Sequence, residues 1–259
     1  MKTLFSLGAI SLLAACSSGT TTTVPGPAPT DTGTPAPAAT NPNGVAYPTT
    51  NIGYAAHTRI PNLKFLGYKA TSPAGMVDTS GNPVLVQLAD FYNPNKPDGT
   101  PGTNGNTIII HISAGSRWCP PCNMEASATS GFDYSTSTRT GPGVAADLAS
   151  QGVVFINTLL DGFVNGTPAT LMDLRGWVTD HQVNFTQVFN PYEYPSASGG
   201  YGSSSETNSL FVGSAVPWNA DIDARSMEIL NVNNSGFDSN LEQTLSALAA
   251  ATKAKTPMQ

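Results

Sequence analysis

The segment Ala114-Gly-Ser-Arg-Trp-Cys-Pro-Pro-Cys-Asn-Met-Glu125 holds two of the chain's three cysteines, Cys119 and Cys122, with only Pro120 and Pro121 between them. Such a pair is a structural clip, half of a metal site or a working dithiol. A metal site needs two or more further ligands. His57, His111 and His181 are scattered and no second cysteine pair exists, which leaves at most a copper site completed by a loop histidine. A clip across two residues closes a tiny loop and constrains the unfolded chain little. A dithiol gains chemical sense from its surroundings. If a helix starts at the pair, unpaired N–H groups and the helix dipole favour a thiolate on the first cysteine. The second, one turn on, is placed to attack the mixed disulfide. Prolines suit a first helical turn. Cys119 is then the nucleophile and Cys122 the resolving thiol.

The elements around the pair support that placement. Thr107-Ile-Ile-Ile-His-Ile-Ser113 is β-branched and apolar throughout, as in a central strand covered on both faces. It predicts a strand feeding directly into a helix that runs from the cysteines toward Ser130. Val84–Ala89 reads as an earlier strand, Val144–Ser150 as a short helix and Val153–Asn157 as another buried strand. Thr170-Leu-Met-Asp173 has the spacing of a capping box and opens a helix through about His181, with Leu171, Leu174 and Trp177 in its core. Trp218–Asp223 and Met227–Val232 read as strands joined by a turn at Ala224-Arg225. Asp221, Asp223 and Glu228 fit that hairpin better than a calcium loop, whose spacing they lack. Ser239-Asn-Leu-Glu242 reads as a second capping box before a helix carrying Leu241, Leu245 and Leu248. Strands alternating with helices predict an α/β layered domain with a closing hairpin and helix. There is no internal repeat.

Trp118-Cys-Pro-Pro-Cys122 resembles the active site of the thioredoxin superfamily. With Glu125 three residues on, the segment resembles the WCxPCxxE pattern of its TlpA/ResA-like membrane-anchored members. "AVPWNADIDARSMEIL" is similar to the family's segment of Val-Pro, strand, tight turn and strand, and the element order from about Val84 to Ala250 agrees. The resemblance implies a thioredoxin-like fold, a central mixed β-sheet flanked by helices, and thiol–disulfide oxidoreductase activity without a cofactor. It also implies that Pro217 is a cis-proline lying against the dithiol and, with Trp118, shapes the surface for a partner. Two features depart from the pattern. Ser113-Ala-Gly-Ser-Arg117 is two residues longer than usual between strand and Trp118. The place of the family's buried acid therefore falls to His111 or to Ser113, the alternative for His111 being an ordinary satisfied strand histidine. Residues 190–209, rich in Tyr, Gly and Ser, are longer than expected and either wall the groove or form an unstructured insertion. Glu125 assists proton transfer near Cys122, or serves first-turn helix electrostatics.

The N-terminus bears on location. Lys2 precedes an apolar stretch, Leu4 to Leu13, too short for a permanent span. It ends in Leu13-Ala-Ala-Cys16, which resembles the lipobox of bacterial lipoproteins. That resemblance implies a signal peptide over 1–15 and lipidation of Cys16. Ser17 after the cysteine implies an outer-membrane destination facing the periplasm. The alternative is an ordinary secretory signal with an incidental Cys16. Residues 16–46, dominated by Thr, Pro, Ala and Gly, predict a disordered tether, and the folded domain is expected over 47–259. Net charge −6, with no run of Lys or Arg, excludes a nucleic-acid footprint. No P-loop or GxSxG motif is present.

The reading that results is a lipid-anchored envelope thiol–disulfide oxidoreductase. Its expected partners are protein thiols and disulfides, and a redox partner that regenerates the pair. Two alternatives stand beside it. One is a thiol peroxidase, whose Pro/Thr-containing cysteine motif is missing. The other is a non-catalytic binding lipoprotein that keeps an inert disulfide.

Overall fold

A computed structural model describes residues 39–73, 75–94, 106–165, 167–189, 216–233 and 236–255. Cys16, the signal segment and residues 190–209 therefore lie outside the described residues.

One sheet organises the molecule. Its strands are β1 (Lys64–Tyr68), β2 (Val84–Gln87), β3 (Ile109–Ser116), β6 (Val153–Asp161), β7 (Thr186–Phe189), β8 (Trp218–Asp223) and β9 (Glu228–Asn233). They lie in the order β2-β1-β7-β6-β3-β8-β9. β3 runs parallel to β6 and antiparallel to β8, and β6 runs parallel to β7. The remaining pairs are antiparallel. A small hairpin, β4 (Phe132–Asp133) with β5 (Thr138–Arg139), stands apart. The helices are α1 (Pro120–Ser130), α2 (Val144–Ala149), α3 (Leu171–His181) and α4 (Leu241–Ala254).

Every residue of β3 is buried, as its apolar run predicted, and its alternation divides two cores. Ile110, Ile112 and Ala114 point to one side. They meet Phe65, Val86, Val188 and Ile222, together with Tyr47, Ile60 and Leu63 of the N-terminal arm. Ile109 points to the other side, where the buried residues of all four helices gather, among them Leu148, Leu174, Trp177 and Leu245.

The helix ends carry local chemistry. Thr170 caps α3 as its sequence predicted: Asp173 N–H donates to Thr170 Oγ1 at 3.2 Å and Thr170 N–H donates to Asp173 Oδ2 at 3.0 Å. Gly131 ends α1 at φ 70°, where an added Cβ would stand 2.3 Å from Gly141 O.

Several boundaries differ from the sequence expectation. β1 and β7 were not expected, since Lys-Phe-Leu-Gly-Tyr and Thr-Gln-Val-Phe are too short to show a period. β3 continues through Ala114, Gly115 and Ser116, so the longer approach to Trp118 is strand rather than loop. Ser239 does not cap α4. The N-cap is Asn240, whose side chain makes no cap bond, and Asp238 braces the entry to the helix, its carboxylate accepting from Asn240 N–H at 2.8 Å and from Thr244 Oγ1 at 3.2 Å. Within the stretch read as tether, residues 39–46 form a turn around buried Asn41. Its side chain accepts from Asn43 and Val45 N–H and donates to Tyr92 O.

Candidate active site

Cys119 is the N-cap of α1 and Pro120 and Pro121 occupy its first turn, so the dithiol stands at a helix N-terminus immediately after the central strand. Both thiols are buried. Cys119 Sγ–H donates to Val216 O at 3.5 Å, which brings the Val216-Pro217 segment against the nucleophile across 97 residues of chain. Burial pushes the Cys122 thiol well up, and the contact with Cys119 and a negative charge there push it further, as does Glu125. Cys122 is thus held as a thiol within the layer beneath α1.

Trp118 is half-buried, and its indole N–H donates to Asp161 Oδ2 at 2.9 Å, tying the tryptophan to the end of β6. Arg117 is held against α3. Its Nη1 donates to Asp173 O at 3.2 Å, its Nη2 pairs with Asp180, and its guanidinium lies 3.8 Å from the centre of the Phe163 ring. Gly176 leaves room for it, since a Cβ there would stand 2.4 Å from Nη1. Asn123 braces the turn from the other side, donating to Cys119 O at 2.8 Å and Arg117 O at 3.1 Å. Its Oδ1 accepts from His181 Nε2 at 3.0 Å, and His181 Nδ1 lies 3.4 Å from Ser127 Oγ. Burial, with the Arg117 charge added, holds His181 down at about 4, so it stays neutral near pH 7.

Beneath α1 the sheet is polar where a core would be apolar. Alternate residues of β3 point at the helix: Gly115, Ser113 and His111. Gly115 lies under Cys122. One layer in, Ser113 pairs across strands with Asn219 on β8 and with Asn157 on β6. Asn157 Nδ2 donates to Ser113 Oγ at 2.7 Å, and Gln187 Nε2 on β7 donates to Asn157 Oδ1 at 2.8 Å. Asn219 Nδ2 donates to Glu125 Oε2 at 3.0 Å. One layer further, His111 Nδ1 lies 2.7 Å from Asp221 Oδ1, both side chains buried. Asn231 Nδ2 donates to Asp221 Oδ2 at 3.2 Å.

Glu125 is therefore a buried residue of this layer and not a surface group of the first turn. Burial raises its carboxyl above the ordinary range, against the opposing pull of His111, Asn219 and Ser113. Burial would lower His111, but the hydrogen bond and charge of Asp221, with Glu125 behind, carry it above its usual value. His111 is thus held in the layer by its contact with Asp221. Among the described residues no group of three His, Cys, Asp or Glu side chains is arranged to hold a metal ion.

The segment β3-α1-β6 is followed by the β8–β9 hairpin and α4, with strands ordered β6-β3-β8-β9 and the dithiol at the start of α1. The fold is thioredoxin-like. Pro217 has the cis peptide bond that the resemblance implied.

No protein-family model and no curated protein matches the sequence. Solved structures do. A Chlorobium tepidum protein described as a thiol:disulfide interchange protein DsbE is 16% identical with TM-score 0.46, over 77% of this chain and 99% of its own. The thioredoxin domain of a Bacteroides vulgatus thiol-disulfide oxidoreductase is 12% identical with TM-score 0.46, over 76% and 99%. A thiol:disulfide interchange protein from Bacteroides sp. is 14% identical with TM-score 0.43, over 77% and 93%. These likenesses concern overall shape; the fold assignment rests on the strand order and the placement of the dithiol.

The tertiary structure thus gathers Trp118, Cys119, Cys122, Glu125 and Pro217 into one site. Asn123, His181, Asn157, Gln187, Asn219 and Asp221 were not singled out for it. The one sequence signal that could have found Asn219 and Asp221 is the alternation of polar residues at i, i+2 and i+4 with apolar ones in the strand Trp-Asn-Ala-Asp-Ile-Asp.

Proposed function

We propose that this chain is a thiol–disulfide oxidoreductase of the bacterial cell envelope, lipid-anchored through Cys16 and acting on protein disulfides. The observation that carries the reading is the placement of the dithiol: Cys119 is the N-cap of α1 and lies 3.5 Å from Val216 O, next to the cis Val216-Pro217 bond, with Cys122 one turn on.

The Cys119 thiolate attacks one sulfur of a partner disulfide. That S–S bond breaks, one partner thiolate leaves, and a mixed disulfide remains on Cys119. Cys122 then loses its proton, with Glu125 as the nearby base, and attacks the Cys119 sulfur. The second partner thiolate leaves. The partner is reduced by two electrons and the pair is oxidised to a Cys119–Cys122 disulfide, which a second thiol protein restores. The chemistry resides in the sulfurs and draws on no cofactor. Leu13-Ala-Ala-Cys16 supports the anchor, and the long Thr/Pro/Ala segment supports a domain held off the membrane.

The test is the reduction potential of the pair in dithiothreitol redox buffers, with turnover of a model protein disulfide. A potential between about −270 and −120 mV, and loss of turnover in Cys119→Ser, are expected. A potential well below about −300 mV marks an inert structural disulfide and overturns the reading in favour of a binding lipoprotein.

A further inference from the structure

The mechanism uses Cys119, Cys122 and Glu125 and leaves a buried ionisable pair unexplained. His111 and Asp221 sit opposite each other on β3 and β8, facing α1 and 2.7 Å apart. A buried ion pair seldom stabilises a fold relative to apolar residues of similar size, because desolvation offsets the attraction. Here the pair is built with care. Asp221 takes His111 Nδ1 on one oxygen and Asn231 Nδ2 on the other. The His111 ring rests on Phe155, with centres 5.2 Å apart. Its other nitrogen, Nε2, has no hydrogen bond of good geometry and lies beside Asn219, whose Oδ1 is also unpaired. Asn219 turns its Nδ2 onto Glu125. Asn219 thus touches the carboxylate and adjoins the imidazole.

The charged groups that face His111 can be named element by element. Asp221 comes from β8 and Glu125 from α1, with Cys122 beyond it. β6 contributes the neutral Phe155, and the core-facing residues Leu241, Leu245 and Ala249 of α4 are apolar. Asp223 is closed on Arg225 at the end of the hairpin. Glu125 therefore has one buried cation at hand.

We propose that His111, fixed on Asp221, acts through Glu125 as the counter-charge that keeps this carboxylate ready to accept the Cys122 proton, so that His111 and Asp221 are a positioning pair for the resolving half of the exchange. The inference rests on the oxidoreductase reading for its purpose, though not for its physics. The proton balance is simple. As Cys122 attacks the Cys119 sulfur, its S–H bond breaks and the proton passes to Glu125; the electron pair of the broken disulfide leaves on the partner's sulfur. His111 keeps its own proton throughout. Without the imidazolium, burial would push this carboxyl higher still and make it harder to keep ionised.

The test uses the full chain and two readouts. The first is titration of the Glu125 carboxyl by isotope-edited infrared spectroscopy in wild type, His111→Gln and Asp221→Asn. Both variants are expected to move its midpoint to higher pH. The second is release of the second equivalent of 5-thio-2-nitrobenzoate after Ellman's reagent has modified Cys119, which times the Cys122 attack directly. In His111→Gln this phase should slow about tenfold at neutral pH and recover as pH rises. In a Glu125→Gln background, adding His111→Gln should slow it no further. An unmoved carboxyl midpoint in a folded variant, or additive losses in the double variant, overturns the proposal. If His111→Gln does not fold, Asp221→Asn carries both readouts. Failure to turn over protein disulfides would sink the oxidoreductase reading alone, since neither readout involves a protein substrate.

Discussion

Gly115 lies directly beneath Cys122: a Cβ built on it would stand 3.3 Å from the Cys122 Cβ and 3.6 Å from its Sγ. The strand and the resolving cysteine thus approach closely enough that even a methyl group at position 115 would press on the Cys122 side chain. The contact lets Cys122 sink into the polar layer instead of riding above it.

Gly115→Ala should therefore fold, because its backbone needs no left-handed conformation, but with Cys122 displaced by a few tenths of an ångström. A loss of about 1–3 kcal/mol in denaturant unfolding is expected for such overpacking. Mixed disulfide should accumulate during turnover, detected by mass after an acid quench. Wild-type stability together with wild-type resolution would contradict the close fit.

Replacing Glu125 with Gln should separate activity from stability. The resolving step should slow roughly 100-fold, the scale of a lost general base. Stability should move the other way. The folded protein holds the Glu125 proton more tightly than the unfolded chain does, so its contribution is greatest below the unfolded value of 4.5 and falls as pH rises through the higher folded one. Glu125→Gln has no such fall. Urea unfolding at acidic and neutral pH should show the variant gaining on wild type as pH rises.

His181 gives a slope of the opposite sign. Its folded value is about 4 against an ordinary 6.5, so the unfolded chain takes up a proton in that window and the folded one does not. Its contribution is fully present above 6.5 and is lost as pH falls toward 4, by roughly 3 kcal/mol. In His181→Gln the proton uptake on unfolding between these values should drop by about one. An unchanged slope would mean that the ring is not held neutral.

The bracing of the Cys119 turn by Asn123 makes a kinetic forecast. Asn123→Ala removes donors to Cys119 O and Arg117 O while leaving both sulfurs in place. Alkylation of Cys119 by iodoacetamide should change its pH midpoint in this variant, with far-ultraviolet circular dichroism unaltered. Retention of the wild-type midpoint would show that the helix N-terminus alone orients the cysteine.

Loss of the α3 cap is a test of local structure away from the sulfurs. Thr170→Ala leaves Asp173 without its reciprocal partner and should cost about 1 kcal/mol in thermal or denaturant unfolding. Disulfide turnover measured well below the melting temperature should remain near wild type.

What could be read along the chain alone was whatever depends on near neighbours. The apolar run before the dithiol reads as a buried strand because a strand covered on both faces has no polar alternation to hide. Cys119, Pro120, Pro121 and Cys122 read as a helix start because proline suits a first turn, and Thr170 with Asp173 reads as a cap because the bonds reach only three residues. The tertiary structure decided the rest. Short strands such as Thr186–Phe189 carry too few residues for a period and exist because the sheet pairs them. Ser239 does not cap α4, because the chain's entry into the helix, set by packing, puts the Asp238 carboxylate on the Asn240 N–H and the Thr244 hydroxyl instead. Glu125 meets Asn219, and His111 meets Asp221, across 94 and 110 residues of chain. No local rule specifies such encounters. They follow from the register of β3 against β8, and that register is set by the burial of alternate apolar residues on the far face of the sheet, Ile110, Ile112 and Ala114 against Ala220 and Ile222.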